Sequence, residues 1–302
     1  MTDADVVIVG GGPAGLTAAI YLVRFHLRTI VVDAGDSRAS MIPVSHNHAG
    51  HPAGIAGSVL VDRMRAQAIE YGARIVTAEV TSIDGEAGRF RIDAGAVLSA
   101  RAVLLATGVH NNRPAMDDAL HADAVARGVL RYCPICDGFE VTDKRIAVIG
   151  SGSHGVEEAI FLRSYSRDVT LVAPDGPHDL DAPLRTRLVD AGIASIDGPA
   201  ADFRIEGDGL SLATGDGRRH FDTIYPALGS VIRSTLAEQL GACLADAGCI
   251  RVDSHQRTTV SGLYAAGDVV PGLDQISSAM GQAAVAATAI RNDLAKMVPL
   301  RR

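Results

Sequence analysis

Asp5-Val6-Val7-Ile8-Val9-Gly10-Gly11-Gly12-Pro13-Ala14-Gly15 is the stretch that decides the fold. It opens on a short, mostly β-branched run of the kind found in strands buried on both faces of a sheet. The run enters Gly10-x-Gly12-x-x-Gly15 directly, and a helix is predicted from Leu16 through Val23. Each glycine has its own steric reason. Gly10 permits the tight turn, Gly12 lets the backbone approach a pyrophosphate, and Gly15 lets the helix lie close on the strand. The helix N-terminus offers unpaired N–H groups and a partial positive charge to phosphates. A second strand, Thr29-Ile30-Val31-Val32, ends at Asp33, an acid placed to accept hydrogen bonds from an adenosine ribose. A glycine-rich turn alone can be merely a turn. Here strand, glycines, helix, strand and acid follow in order, and a dinucleotide site is expected.

The same grammar recurs downstream. Arg145-Ile146-Ala147-Val148-Ile149 runs into Gly150-Ser151-Gly152-Ser153-His154-Gly155, with Gly150, Gly152 and Gly155 in order, and a further strand is predicted at Val169-Thr170-Leu171-Val172. The fold class is therefore α/β, with two Rossmann-like dinucleotide-binding domains. Between the two fingerprints lies Tyr132-Cys133-Pro134-Ile135-Cys136-Asp137-Gly138. Two cysteines separated by two residues either close a small, reducible disulfide or hold a metal. Zinc needs four ligands, yet Cys243 and Cys249 are spaced Cys-x5-Cys and no His lies at ligand spacing from the first pair, so no metal is expected. Cys243 and Cys249 read instead as small buried residues. A dithiol between two dinucleotide-binding units reads as a redox relay, and its position at the start of a helix favours the thiolate.

Composition sets the outer bounds. The 302 residues suffice for two domains, and 47% hydrophobic residues with 32 glycines suit an α/β chain with many tight turns. A net charge of −7 argues against nucleic acid or an anionic membrane surface as partner, and Arg301-Arg302 is too short to change that. The apolar run Val6–Val9 is strand-sized and lacks a basic leader, so neither a signal peptide nor a transmembrane helix is expected. Four cysteines make no disulfide framework, and Cys-x-x-Cys beside a βαβ pattern points to a reducing, cytoplasmic compartment. No appended thioredoxin-like module is expected ahead of the first fingerprint.

Two further segments bear on which dinucleotide is bound. Leu263-Tyr264-Ala265-Ala266-Gly267-Asp268-Val269 is a strand closing on a Gly-Asp pair, and Ala102-Val103-Leu104-Leu105-Ala106-Thr107-Gly108 is a strand closing on Thr-Gly. Either alone could be an ordinary buried strand with a turn. Both resemble segments of flavoproteins of the disulfide reductase type, in which the aspartate lies on the flavin's ribityl chain, and together with the first fingerprint that resemblance makes FAD the favoured cofactor. The order of motifs, from Gly10–Gly15 through His46-Asn47-His48-Ala49-Gly50-His51-Pro52, Ala106-Thr107-Gly108, Cys133-Pro134-Ile135-Cys136-Asp137-Gly138, the second fingerprint with Glu157-Glu158-Ala159, and Ala265-Ala266-Gly267-Asp268-Val269 with Gln275-Ile276, resembles the low-molecular-weight thioredoxin reductases from residue 4 to about 295.

The resemblance implies a discontinuous FAD-binding domain, residues 1–112 and 242–302, around a central domain, residues 113–241, that carries the Cys-x-x-Cys and an NAD(P)-type fold. The polar break His110-Asn111-Asn112-Arg113-Pro114 and a possible hinge near Gly241 fit that division. The resemblance implies FAD contacts at Gly10, Gly12, Pro13, Ala14, Gly15, Asp33, Asn47, Val80, Thr107, Gly108, Gly267, Asp268, Gln275 and Ile276. It implies Cys133 as the interchange thiol, Cys136 as the flavin-facing one, and Asp137 as the acid–base group, although an Asp there is also a helix cap by residue type. It further implies a homodimer whose partner is a thioredoxin-like protein or a small disulfide.

The chain departs from the family after the strand at 169–172. NADPH-dependent members carry a His-Arg-Arg type cluster there, since a 2′-phosphate needs guanidinium partners. This chain has Ala173-Pro174-Asp175-Gly176-Pro177-His178. NAD(P)H use is thus left open. Arg185 or Arg187 could supply weak contacts, a ferredoxin or second flavin could be the donor, or a substrate dithiol could pass electrons through FAD to oxygen. A flavin-binding redox sensor is the non-enzymatic alternative. His46, His48 and His51 read as a polar loop near the flavin, with a metal or proton-relay role as the alternative.

Overall fold

The structure is a computed structural model describing residues 2–297. It divides into two compact units, the first comprising Met1–Met41, Ala56–His110 and Ile232–Arg302, the second Ile42–Ile55 and Asn111–Val231.

In the first unit β1 (Ala4–Val9) lies between β2 (Thr29–Asp33) and β6 (Val97–Leu105), parallel to both, and β3 (Arg74–Thr77) extends the sheet beyond β2. Strand β6 has two partners along its other edge. Its residues Val97–Ala100 pair antiparallel with β5 (Phe90–Asp93), which pairs in turn with β4 (Ser82–Asp84). Its residues Val103–Leu105 pair parallel with β16 (Leu263–Ala265). β1 and β2 are buried along almost their whole length, which explains continuous β-branched runs in place of alternation. Against the sheet lie α1 (Pro13–Arg24), α2 (Gly57–Glu70), α7 (Thr235–Gln239) and α8 (Ile276–Met297). α1 and α8 pack on each other through small residues, Ala18 and Ala19 on one and Ala279, Ala283, Ala286 and Ala287 on the other being among those buried.

The chain enters the second unit along β7 (Val109–Asn111) and returns along β15 (Ser230–Ile232), two strands that pair with each other. On the return the two units divide between Val231 and Ile232. The reason is packing: Ala237 and Ala242 are buried in the first unit's core with Ile83 and Phe90, which fixes the segment between them there.

The second unit is built on a parallel sheet in the order β10 (Ala194–Ile196), β9 (Val169–Val172), β8 (Ile146–Ile149), β14 (Thr223–Pro226). It carries α3 (Asp118–Ala126), α4 (Pro134–Asp137), α5 (Gly152–Leu162) and α6 (Ala182–Asp190), and an antiparallel meander of β11 (Ala201–Glu206), β12 (Gly209–Thr214) and β13 (Gly217–Phe221). Successive residues of its strands alternate between two cores. Ile146, Val148, Leu171 and Tyr225 face one, and Ala147, Ile149, Val172 and Ile224 the other, so the sheet is covered on both faces. Two Rossmann-like sheets in one chain are what the sequence led us to expect. Among the described residues no helix is long and apolar enough to cross a membrane.

Candidate active site

The first cradle lies at the carboxyl ends of β2, β1, β6 and β16, where open α/β sheets place their ligands. Gly10 turns the chain out of β1 with φ +107°, and its N–H donates to Val32 O at 2.8 Å. A Cβ at Gly10 would collide with the Ala106 carbonyl, and one at Gly15 with the Gly10 carbonyl, so both are fixed as glycine by close backbone approach. Gly12 is the N-cap of α1 and provides no side chain to the helix end, and Pro13 occupies the first turn, where a missing N–H costs nothing. The other first-turn N–H groups are therefore left to a ligand. Asp33 is buried at the end of β2, its Oδ1 accepting from Gly11 N at 3.1 Å and Gly35 N at 3.2 Å and its Oδ2 from Arg65.

Gly267 closes the cradle from the other side. A Cβ there would lie 2.9 Å from that of Ala14, and its N–H donates to Gln282 Oε1 at 2.8 Å. Beside it Asp268 accepts from Arg38 at 3.1 Å, and the same guanidinium reaches Asp274 at 3.4 Å. Burial, then the neighbouring Asp268 charge, push the Asp274 carboxyl upward, against the pull of Arg38. Thr107 Oγ1 donates to Arg233 O at 2.6 Å and Gly108 O accepts from Arg233 N, so this pair holds the returning chain. Gln275 and Ile276 stand where α8 begins, and Val80 is a buried member of the core. The glycine cradle, a helix N-terminus without a side-chain cap and acids at two strand ends fit the pyrophosphate and hydroxyl groups of FAD.

The second unit carries the dithiol. Cys133 and Cys136 form a disulfide with an S–S distance of 2.07 Å. Cys133 is the N-cap of α4, and its Sγ accepts from Cys136 N at 3.1 Å. Asp137 does not cap the helix. Its Oδ2 accepts from Arg131 Nη1 at 2.9 Å and its Oδ1 from the Tyr225 hydroxyl at 2.7 Å. Burial raises the Asp137 carboxyl above its ordinary range, and Glu140 adds to the rise. Arg131 and the two hydrogen bonds oppose it. Burial, then the Asp137 charge, push the Tyr225 hydroxyl well up. Nearby in sequence, the Tyr132 hydroxyl is 2.7 Å from His121 Nε2 and is pushed up to about 12 by burial.

Asn47 lies against this loop, its Nδ2 donating to Ile135 O at 3.4 Å. His48 and His51 stack at 5.4 Å between ring centroids, and burial, then His51, lower the His48 imidazole. Among the described residues no group of three or more His, Cys, Asp or Glu could hold a metal ion. Cys243 is exposed and Cys249 half-buried, which corrects the expectation that both are buried. They sit in a surface hairpin where Arg251 N pairs with Cys243 O and Ala245 N with Cys249 O.

At the second fingerprint, Gly150 N donates to Val172 O at 3.0 Å, and Gly152 and Gly155 lie in the first turn of α5. The loop after β9 folds back onto it. The Ser151 hydroxyl accepts from Asp179 N at 3.1 Å and lies 3.4 Å from Nδ1 of His178, a buried residue whose own N–H donates to Asp197 at 2.9 Å. Arg187 is engaged by Glu157 at 2.7 Å and Arg185 by Leu180 O at 3.0 Å. On α5, burial pushes Glu158 up to about 7, and its Oε1 has no hydrogen-bond partner among the described residues.

The sequence did not point to Arg131, Tyr225 or Arg38. Tyr225 sits in a short, wholly buried strand, and neither arginine belongs to a motif. Only their charge or hydroxyl, with no spacing to a partner, was available to read.

Two dinucleotide-type sheets, a cradle for FAD and a Cys-x-x-Cys disulfide define a flavoprotein disulfide oxidoreductase. The chain belongs to the pyridine nucleotide-disulphide oxidoreductase family, which matches it over residues 4–283. It is 34% identical to the thioredoxin reductase of Streptomyces clavuligerus, over 89% of this chain and 87% of that one. It is 30% identical to the thioredoxin reductase of Peptoclostridium acidaminophilum, over 94% and 95%. The crystal structure of HlmI superposes with a TM-score of 0.87 at 29% identity, covering 97% of this chain and 92% of the other.

Proposed function

We propose that the chain transfers electron pairs between FAD and a protein or small-molecule disulfide through Cys133 and Cys136, as a thioredoxin reductase-like enzyme. The Cys133–Cys136 disulfide at the N-terminus of α4, between two dinucleotide-type fingerprints, is the observation that carries this reading. Bound FAD supplies two-electron exchange with the dithiol. Gly10, Gly12, Pro13, Ala14 and Gly15 would hold its pyrophosphate, Asp33 its adenosine ribose, and Asp268 its ribityl chain. Asn47, Val80, Thr107, Gly108, Gln275 and Ile276 complete the proposed set.

The Cys133 thiolate forms a bond to one sulfur of the partner, whose S–S bond breaks and whose other sulfur leaves as a thiolate. Cys136 then bonds to Cys133, releasing the partner's second sulfur. The partner gains two electrons and the dithiol returns to the disulfide. Asp137 is the proposed acid–base group for these thiolates. A thioredoxin-like partner, a homodimer and a cytoplasmic location belong to the same proposal, supported by the names of the relatives and by the dithiol.

A second reading of electron supply is favoured by the loop after β9. With Ser151 tied to His178 and Asp179, and no arginine in the loop after that strand, the second fingerprint lacks the guanidinium partners that an NADPH 2′-phosphate needs. In that reading a substrate dithiol reduces the Cys133–Cys136 disulfide and dioxygen is the final acceptor, or a ferredoxin or second flavin is the donor. Anaerobic titration of the flavin absorbance with NADPH, NADH and dithiothreitol separates them. Bleaching by a stoichiometric nicotinamide nucleotide supports the nucleotide-fed reductase, and bleaching by dithiothreitol alone supports the dithiol-fed enzyme. A Cys136→Ser variant that keeps FAD and full turnover would sink both.

A further inference from the structure

We propose that Arg131 and Tyr225 are positioning residues that hold Asp137 in one orientation and fix its exchangeable proton on Oδ1. This rests on the acid–base role proposed for Asp137. Arg131 approaches Oδ2 with Nη1 at 2.9 Å, while Nε of the same guanidinium donates to Gly128 O at 2.8 Å, so the fork is anchored at a turn before it meets the carboxylate. Tyr225 approaches Oδ1 at 2.7 Å from β14, where its side chain is fully buried in the core with Ile146, Val148 and Leu171. One clamp is set by a loop and the other by a sheet strand, and neither depends on the four-residue helix that bears Asp137.

The two clamps are chemically unequal. A guanidinium only donates, so the oxygen facing Arg131 cannot carry the proton without placing two hydrogens against each other. A phenol both donates and accepts. When Asp137 is ionised, the Tyr225 hydroxyl donates to Oδ1. When Asp137 is protonated, the proton sits on Oδ1 and the hydroxyl accepts it. Tyr225 is thereby the partner that reverses its hydrogen bond at each change of protonation. Glu140 is the remaining charged group that acts on this carboxyl, and its like charge favours the protonated form, as burial does.

In the exchange step, a thiolate bonds to Cys133 Sγ, the Cys133–Cys136 bond breaks, and Cys136 departs as a thiolate with the bonding pair. The Oδ1 proton of its chain neighbour Asp137 passes to it, and the new carboxylate is met by Arg131, already donating to Oδ2, and by the Tyr225 hydroxyl as it turns to donate to Oδ1. The reverse step returns the proton to Oδ1.

The proposal is tested by the pH profile of flavin reduction by dithiothreitol in the FAD-loaded protein, followed by rapid mixing. The informative limb is the one on which the rate falls as Asp137 loses its proton. Each clamp stabilises the carboxylate, so Tyr225→Phe and Arg131→Gln are each expected to move that limb upward by about one pH unit. Asp137→Asn is expected to abolish it. Slower variants with an unmoved limb mean that the two residues only support the fold, and the proposal falls while the acid–base reading stands. An unchanged limb in Asp137→Asn removes the acid–base reading itself and this proposal with it. If Tyr225→Phe fails to retain flavin, the partly exposed Arg131→Gln carries the test.

Discussion

The Arg38 guanidinium donates to Asp268 Oδ2 at 3.1 Å across 230 positions of sequence, joining the segment after β2 to the Gly-Asp turn after β16. The same group reaches Asp274, so it separates two carboxylates that would otherwise repel. Removing it by Arg38→Ala leaves both acids without this partner beside the proposed ribityl site. For half-buried pairs of this kind the stability loss is expected at about 1 kcal/mol. FAD retention should fall several-fold, read as the flavin-to-protein ratio after gel filtration.

Gly15→Ala places a methyl group against the Gly10 carbonyl where no side chain can yield, because the obstruction is backbone. The cost is expected at about 3 kcal/mol, within the range for overpacking a close contact. Thermal unfolding and flavin content should fall together. A Gly35→Ala control meets nothing within 4 Å, though its φ of +87° carries its own smaller strain, and it should keep its flavin.

Cys133→Ser and Cys136→Ser remove a sulfur from the second unit while leaving the first cradle intact. Both variants are expected to keep the flavin spectrum of the parent. Turnover with a disulfide or dithiol substrate should fall by at least about 100-fold, since a hydroxyl is a poor nucleophile beside a thiolate. Steady-state assays alongside absorbance spectra check this, and retained turnover in either variant would mean that the dithiol does not carry the reaction.

Glu158 gives a pH-dependent stability. Its carboxyl is raised from 4.5 to about 7 by burial alone. The folded chain therefore favours the protonated form, a contribution fully present below the unfolded value and lost as pH rises through the folded one. Glu158→Gln mimics the neutral acid. Its advantage over the parent should be small near pH 5 and reach on the order of 2 kcal/mol above pH 8, measured by urea unfolding at both.

The cradle was legible because its constraints are local. Gly10 and Gly15 answer to close backbone contacts, Gly12 to the start of a helix, and Asp33 to the end of one strand. The dithiol was legible for the same reason. What escaped the sequence depends on distant partners. Tyr225 meets Asp137 only because β14 lies beside β8 in the sheet, and Arg38 meets Asp268 only because β16 returns to β6. The hold on the returning chain is equally distant, Ala237 and Ala242 being buried in one core with Ile83 and Phe90. Cys243 and Cys249 were assigned by residue type, which says nothing of a hairpin that lies on the surface.

The shared edge of β6 governs the order in which the chain can be completed. Its outer half is occupied early, by the adjacent β5 hairpin, but Val103–Leu105 wait for β16, which is made only after the whole second unit. A ribosome thus releases a finished excursion before the enclosing sheet can close. Any chain that stops short of Leu263 leaves a bare apolar strand edge beside the cradle, with the Leu105 carbonyl that receives Ala266 N–H unfilled. Such an edge invites pairing with another chain. Premature termination in this protein should therefore yield aggregates rather than a smaller flavin-binding fragment.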